Sequence, residues 1–300
     1  MPFFTSAIAQ VEKFDIVCCS KTFNLPAIKK IPQMPQLPIA DEIHLSGTGF
    51  ATFVIDNKEC YFNDKDPKLP YEIEHTFPDY GLYPKLTKDT AFGFLTRGCP
   101  NRCGFCIVSD KEGDRSVHTA DLSEFWQAQS NIKLMDANLL ACDNAEKLIT
   151  DLVKTRAKID FTQGLDARCI NDNTAQLLGK MKIKMIHFAF DFMRNEAEII
   201  KGLKLFLKYT TTTCRERKVY ILTNYNTTHA EDWYRVSKVI ELGYRPDVRI
   251  YRKGTHSRFI TDLSRWANSS CLYHSCSFEE YIPRKDGKRC GKLYRDILKS

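Results

Sequence analysis

From residue 90 onward, short apolar runs alternate with longer amphipathic stretches. The runs predict strands near 90–96, 131–136, 158–163, 184–190, 217–223 and 247–252. Between them, apolar positions recur at helical spacing near 119–130, 143–157, 172–181, 194–210 and 229–242. Asp143-x-x-Glu146 reads as a capping box for the second helix, and Gly243 as the stop of the last. Strand–helix alternation argues an α/β fold built on a parallel sheet. Six such units rather than eight argue an open, partial (β/α)6 barrel.

The flanks read differently. Phe14 to Ser20 and Asp41 to Phe50 predict two short strands, the second ending in the glycine turn Ser46-Gly47-Thr48-Gly49. The stretch from Pro26 to Pro38 is too proline-rich for a helix or central strand. Leu69 to Pro84 reads as an extended connector. In the tail, Arg265–Asn268 and Phe278–Tyr281 read as helices closing the sheet. The expected organisation is an appendage and linker over 1–84, a barrel over 85–254 and a helical extension over 255–300.

Composition changes little. The chain has 300 residues, enough for one large α/β domain with a small appendage. No run of 18 apolar residues exists, so no membrane partner is expected. The start, Met1 to Thr5, lacks the basic region of a signal peptide. Twelve cysteines without an export signal suit a reducing cytoplasm. Charge is uneven: residues 1–200 hold 23 Lys/Arg against 27 Asp/Glu, and residues 201–300 hold 21 against 10. A basic last third attracts anions, nucleic acid among them; a solvated face is the plainer reading, because no nucleic-acid motif accompanies it.

The candidate chemistry sits just after the first strand. Cys99, Cys103 and Cys106 form a C-x3-C-x2-C array in Gly98-Cys99-Pro100-Asn101-Arg102-Cys103-Gly104-Phe105-Cys106. Randomly placed cysteines give about 0.02 such arrays in a chain of this composition. Thiolates are the usual ligands of cluster iron. Three of them leave one iron of a [4Fe–4S] cube for an outside ligand. A structural zinc site wants four ligands, usually from two paired knuckles, and no second C-x2-C is present.

This loop resembles the signature of the radical S-adenosylmethionine (SAM) superfamily. The stretch from Phe92 to Cys103 also resembles small phage- and prophage-type members related to the branch with a cobalamin-binding domain. The resemblance implies a partial (β/α)6 radical SAM barrel with a small N-terminal Rossmann-like remnant, and a [4Fe–4S] cluster on Cys99, Cys103 and Cys106. It implies that the free iron binds the amino and carboxylate groups of SAM, and that SAM is reductively cleaved to a 5′-deoxyadenosyl radical. Phe105 is expected beside the adenine. A flavodoxin- or ferredoxin-type electron donor goes with this activity. Lys111-Glu112-Gly113 also belongs to the narrower group. Cobalamin is not expected, because the D-x-H-x-x-G motif is absent and His44 stands alone as a structural residue.

Ligands of open parallel sheets and barrels sit at the carboxyl ends of the strands. Those ends carry Asp136 and Asn138, then Gln163, Asp166 and Arg168, then Asp191, then Asn224, Tyr225 and Asn226, then Arg252 and Lys253. Asp136 and Asn138 fall where the family has its GGE-type motif, not spelled so here. Asp166 is the candidate for the SAM ribose and Arg168 for its carboxylate, an Arg fork matching that group. Capping of the next helix is the alternative for each. Gln163, Asp191, Asn224 and Tyr225 are expected on the substrate side. His187 reads as a satisfied core histidine. Asp79 and Tyr80 belong to a connector or cover the cluster loop. Cys271, Cys276 and Cys290 are read as ordinary buried thiols, with an auxiliary cluster as the alternative. The substrate stays open, nucleic acid included. The alternative to an enzyme is a non-catalytic iron–sulfur or nucleic-acid-binding module on the same fold.

Overall fold

A computed structural model describes residues 13–20, 39–55, 58–252, 254–283 and 287–299. Lys253, the Pro26–Pro38 stretch and Met1 to Thr5 lie outside the described residues. The strands are β1 (Phe14–Ser20), β2 (Ala40–Ser46), β3 (Thr52–Ile55), β4 (Lys58–Tyr61), β5 (Thr90–Gly93), β6 (Thr96–Arg97), β7 (Val117–His118), β8 (Asn131–Leu134), β9 (Lys158–Leu165), β10 (Ile183–Ala189), β11 (Arg217–Thr223) and β12 (Arg245–Ile250). The helices are α1 (Tyr71–Glu74), α2 (Pro84–Thr87), α3 (Val108–Glu112), α4 (Ala145–Thr155), α5 (Asp172–Gly179), α6 (Glu196–Tyr209), α7 (His229–Glu241), α8 (Arg258–Asn268), α9 (Ser270–Ser275), α10 (Cys290–Leu293) and α11 (Arg295–Leu298).

The chain divides into two compact units. The first comprises Met1–Phe77 and Arg102–Glu112, the second Pro78–Asn101 and Gly113–Ser300. In the first, β1 and β2 pair in parallel, with Cys18 opposite His44. His44 Nε2 sits 2.8 Å from Glu42 Oε1. β3 and β4 form an antiparallel hairpin.

The second unit is an α/β layer around a six-stranded parallel sheet of order β5-β8-β9-β10-β11-β12. The strands follow chain order, so each crossover steps the same way. Right-handed crossovers then put successive helices on one face. Accordingly α4 packs on α5 and α5 on α6. Alternate strand residues face these helices and are buried: Ile132 and Leu134, Ile159 and Phe161, Ile186 and Phe188, Val219 and Ile221. Phe188 meets Phe206 of α6 at 5.2 Å. Gly202 is required where α6 crosses the turn after β9, since a Cβ there would lie 1.8 Å from the Ala167 carbonyl oxygen.

Side chains close both edges of the sheet, which would otherwise offer unpaired backbone. At β5, the Tyr80 hydroxyl accepts from Phe92 N at 2.9 Å and donates to Phe125 O at 2.7 Å. Tyr80 is therefore a structural connector residue. At β12, the Asn268 amide accepts from Val248 N and donates to Val248 O, both at 2.8 Å.

Three sequence expectations are corrected. Residues 119–130 do not form a helix; a 3-10 turn spans Leu122–Glu124. The Gln129 side-chain oxygen takes the N–H groups of Gln127 and Ala128 at 3.0 and 3.3 Å, competing with helical pairing. Asn144, not Asp143, is the cap residue of α4, and Asp143 faces an exposed Arg115 at 3.7 Å. Phe278 to Tyr281 is a turn rather than a helix. Pro283 restricts Ile282 before it to extended backbone, while Phe278 and Tyr281 remain buried.

One buried charge ties the sheet together. Arg235 of α7 is 0 % exposed. Its Nη1 donates to Phe190 O at 2.8 Å and Asp191 O at 3.0 Å, and its Nη2 to Leu222 O at 3.0 Å. Its ion-pair partner is Asp232, also buried. Replacing Arg235 by Ala strands this carboxylate and three carbonyls. Arg235→Ala is expected to cost about 3–5 kcal/mol in urea unfolding; a loss under 1 kcal/mol (on the order of a surface change) contradicts the clamp.

Candidate functional site

The carboxyl ends of the strands carry the polar groups. The expected strand 90–96 breaks after Gly93 because Asp136 replaces the ladder. Asp136 Oδ1 accepts from Leu95 N at 3.0 Å, Thr96 N at 2.5 Å and Thr96 Oγ1 at 2.7 Å. The chain then turns into β6, which pairs antiparallel with β7. Gly98 follows at φ 88°, where a Cβ would lie 2.1 Å from Arg115 O. Only glycine fits such a left-handed, backbone-crowded position. Cys99 N then donates to Gly113 O at 3.1 Å.

Asn138, one strand over, donates Nδ2–H to Cys99 Sγ at 3.7 Å. Ser116 Oγ holds the Asn138 carbonyl at 2.8 Å. Asp136 and Asn138 are 4 % and 2 % exposed. Yet Asp136 Oδ2 and Asn138 Oδ1 have no hydrogen-bond partner. Burial drives the Asp136 carboxyl up to about 6, opposed by the Thr96 and Leu95 donors. Among the described residues these two buried acceptors have no donor, an arrangement that costs free energy.

Asp166 and Arg168 are brought together, as neighbours rather than as separate ligands. Arg168 Nη2 reaches Asp166 Oδ2 at 2.6 Å and Nε reaches Oδ1 at 2.9 Å. Asn101 completes the network, donating to Asp166 Oδ2 at 3.0 Å and accepting from Arg168 Nη2 at 2.8 Å. Burial pushes the Asp166 carboxyl up, but the Arg168 and Asn101 bonds outweigh it and the net shift is down. Asn101 was not singled out in the sequence, although it lies inside the cysteine array. Cys169 beside them is pushed up to about 11 by burial and by Asp166.

Cys103 and Cys106 belong to the other compact unit. There, Cys106 N donates to Cys103 O at 2.9 Å in the turn before α3, with Phe105 half-buried between them. Arg102 takes φ 41°. Among the described residues no cysteine is in a disulfide. Nor, among them, is any group of three or more His, Cys, Asp or Glu arranged to hold a metal ion. In the tail Cys290 is buried, its thiol pushed up to about 12 by burial, while Cys271 is exposed.

The remaining rim residues have structural partners. Gln163 lies within β9, where the pairing with β10 shifts register, and not beyond the strand end. Asp191 Oδ1 accepts from Leu222 N at 2.9 Å, and burial raises its carboxyl. Asn224 Nδ2 donates to Tyr251 O at 2.8 Å. Tyr225 meets Tyr251 edge to face at 4.8 Å.

The sheet face opposite the helices is polar, which a reading of strand ends alone misses. It carries Lys133, Asp160, His187, Lys218, Tyr220, Asp247 and Arg249 at alternate positions. His187 stacks on Tyr220 at 4.8 Å, and Arg249 lies over the other side of the array, 4.7 Å from the Tyr220 centroid. His187 Nδ1 is 2.9 Å from Phe161 O, and burial lowers its pKa, so the ring is held neutral. The signal was present in the charged residues alternating with Val219, Ile221 and Val248.

Comparison with protein-family models and with curated proteins finds no match for this chain. No helix among the described residues is long and apolar enough to cross a membrane.

The Asp136 carboxyl rises from 3.8 to about 6 on folding. Its stabilising share is therefore present below the unfolded value and lost as pH rises through about 6. Asp136→Asn keeps the acceptor for Leu95 and Thr96 and removes the buried charge. Relative to the parent, the variant is expected to gain up to about 3 kcal/mol between pH 4 and pH 7 in urea unfolding. A difference independent of pH refutes this.

Proposed function

We propose that this chain is a radical SAM enzyme holding a [4Fe–4S] cluster on Cys99, Cys103 and Cys106 of a partial (β/α)6 barrel. The observation that carries the reading is the C-x3-C-x2-C spacing directly after the first strand of a parallel sheet wound in chain order. The chemistry of these residues fits such a group, although among the described residues no three are arranged to hold a metal ion. Thiolates are its proper donors. Cys99 Sγ already accepts an N–H from Asn138, an outer contact of the kind that tunes such sites. The bare oxygens of Asp136 and Asn138 suit an ammonium.

When bound, the cluster supplies the electron for reductive cleavage of SAM to a 5′-deoxyadenosyl radical. The chain's own residues hold and orient. Asp136 and Asn138 would accept from the SAM ammonium. Asp166, anchored by Arg168 and Asn101, offers a carboxylate to the ribose. By the family resemblance, Phe105 would flank the adenine. The polar open face of the sheet takes the substrate. A flavodoxin- or ferredoxin-type donor and a reducing cytoplasm go with this activity.

One observation favours a second reading, a non-catalytic iron–sulfur or nucleic-acid-binding module. Arg168 already spends Nε and Nη2 on Asp166 and Asn101, so its fork is committed. The experiment is anaerobic reconstitution with iron and sulfide, reduction, and chromatography for 5′-deoxyadenosine. The parent is expected to carry a cluster and release the product, and a Cys99→Ala/Cys103→Ala/Cys106→Ala variant neither. A cluster without cleavage, even with the substrate class tested below, supports the module. No cluster at all refutes both cluster readings.

A further inference from the structure

The far end of the same rim carries an array in which the cluster reading assigns only Tyr225, to the substrate side. Phe192 follows β10, Tyr225 follows β11 and Tyr251 follows β12. Phe192 and Tyr225 meet edge to face at 6.4 Å, and Tyr225 and Tyr251 at 4.8 Å. Each outer ring carries a guanidinium. Arg194 lies 4.6 Å from the Phe192 centroid and Arg252 5.2 Å from that of Tyr251. The rings are half-buried and both arginines exposed.

The backbone under this array is strained. Asn224, Asn226 and Arg252 take φ of 63°, 50° and 47°. Asparagine tolerates the left-handed region; arginine there costs on the order of 1 kcal/mol. The strain is held in place by cross-loop bonds. Asn224 Nδ2 donates to Tyr251 O at 2.8 Å and Thr255 Oγ1 at 3.2 Å, and Thr255 Oγ1 donates to Arg252 O at 3.1 Å. Strain kept by specific ties gathers where a surface must be presented.

Three aromatic rings and two guanidinium planes in a row match one ligand chemistry. Unstacked nucleobases lie on such rings and planes, and arginines take the phosphates between them. An apolar peptide would find two exposed charges in its way. The charge of the segment agrees: residues 201–300 hold 21 Lys/Arg against 10 Asp/Glu, the footprint of a polyanion partner.

We propose that the rim formed by Phe192, Arg194, Tyr225, Tyr251 and Arg252 binds single-stranded nucleic acid through its bases. It rests on the radical SAM reading only in making the bound strand the substrate; the binding stands without it. The test is fluorescence anisotropy of the full chain with short labelled oligonucleotides: single-stranded RNA, single-stranded DNA and the matching duplex, across a salt series. Single strands are expected to bind, the affinity falling steeply with salt. Arg252→Ala and Tyr251→Leu should each weaken binding about tenfold, while Tyr251→Phe keeps it. The RNA or DNA preference then names the strand. If Tyr251→Leu lowers the melting temperature sharply, the exposed Arg194→Ala and Arg252→Lys carry the test, the latter keeping charge and losing the stacking plane. No binding at low salt, equal or better duplex binding, or binding indifferent to the arginine variants overturns the proposal. Binding without SAM cleavage leaves it standing and weakens the enzyme reading; cleavage without binding does the reverse.

Discussion

A fully buried guanidinium holds the sheet together at the end where its polar groups collect. Parallel strands that stop side by side leave carbonyls facing one another with no ladder beyond. Arg235 meets three of them, two just after β10 and one on β11, and balances its charge with Asp232 of its own helix. A lysine could not do this, having no planar fork to span two strands. A buried charge is tolerated only when paired and hydrogen-bonded, so the geometry is strict. It fixes where the chain leaves β10 and β11, and hence where Asp191, Phe192 and Tyr225 begin. Asp191 then reaches back to Leu222 N and closes the same junction from the other side.

At the first strand a carboxylate performs the matching task. Asp136 takes two amides and a hydroxyl that no neighbouring strand can take. It thereby ends the strand early and turns the chain into the cysteine loop. The cost is an ionisable group at 4 % exposure with one oxygen unsatisfied. A purely structural terminator would be served as well by an amide. A carboxylate there, beside a bare Asn138 oxygen, is what gives the position its functional interest.

The strands were legible because each is a short apolar run with one buried parity; Arg217–Thr223 falls where the run 217–223 predicts it. What failed had competing side chains. Residues 119–130 have helical spacing, but Gln129 satisfies backbone donors locally and Phe125 is drawn under Gly93, where a Cβ would stand 2.3 Å from its ring. The site was legible as positions rather than partnerships. Spacing put Asp166 and Arg168 at one strand end, but not that each would be the other's partner, nor that Asn101 would join them. Periodicity carries faces; it does not carry pairings across 65 residues such as Asn101 with Asp166.

The rim is polarised by this arrangement. Acceptors gather after β8, where one side-chain oxygen each of Asp136 and Asn138 has no donor among the described residues. Donors and aromatic planes gather after β10 to β12. The strand order separates β8 from β12 by four steps, about 19 Å along a flat ladder and less if the sheet curls. That exceeds the Debye length of about 8 Å at physiological salt. The two ends therefore select ligands by their own charges, with little cross-talk through water. Under the two proposals, a sulfonium-bearing cofactor at the β8 end and a nucleic acid at the β12 end would occupy different ground. Between them lies the open face, where His187, Tyr220 and Arg249 form a continuous stacked array over the middle strands.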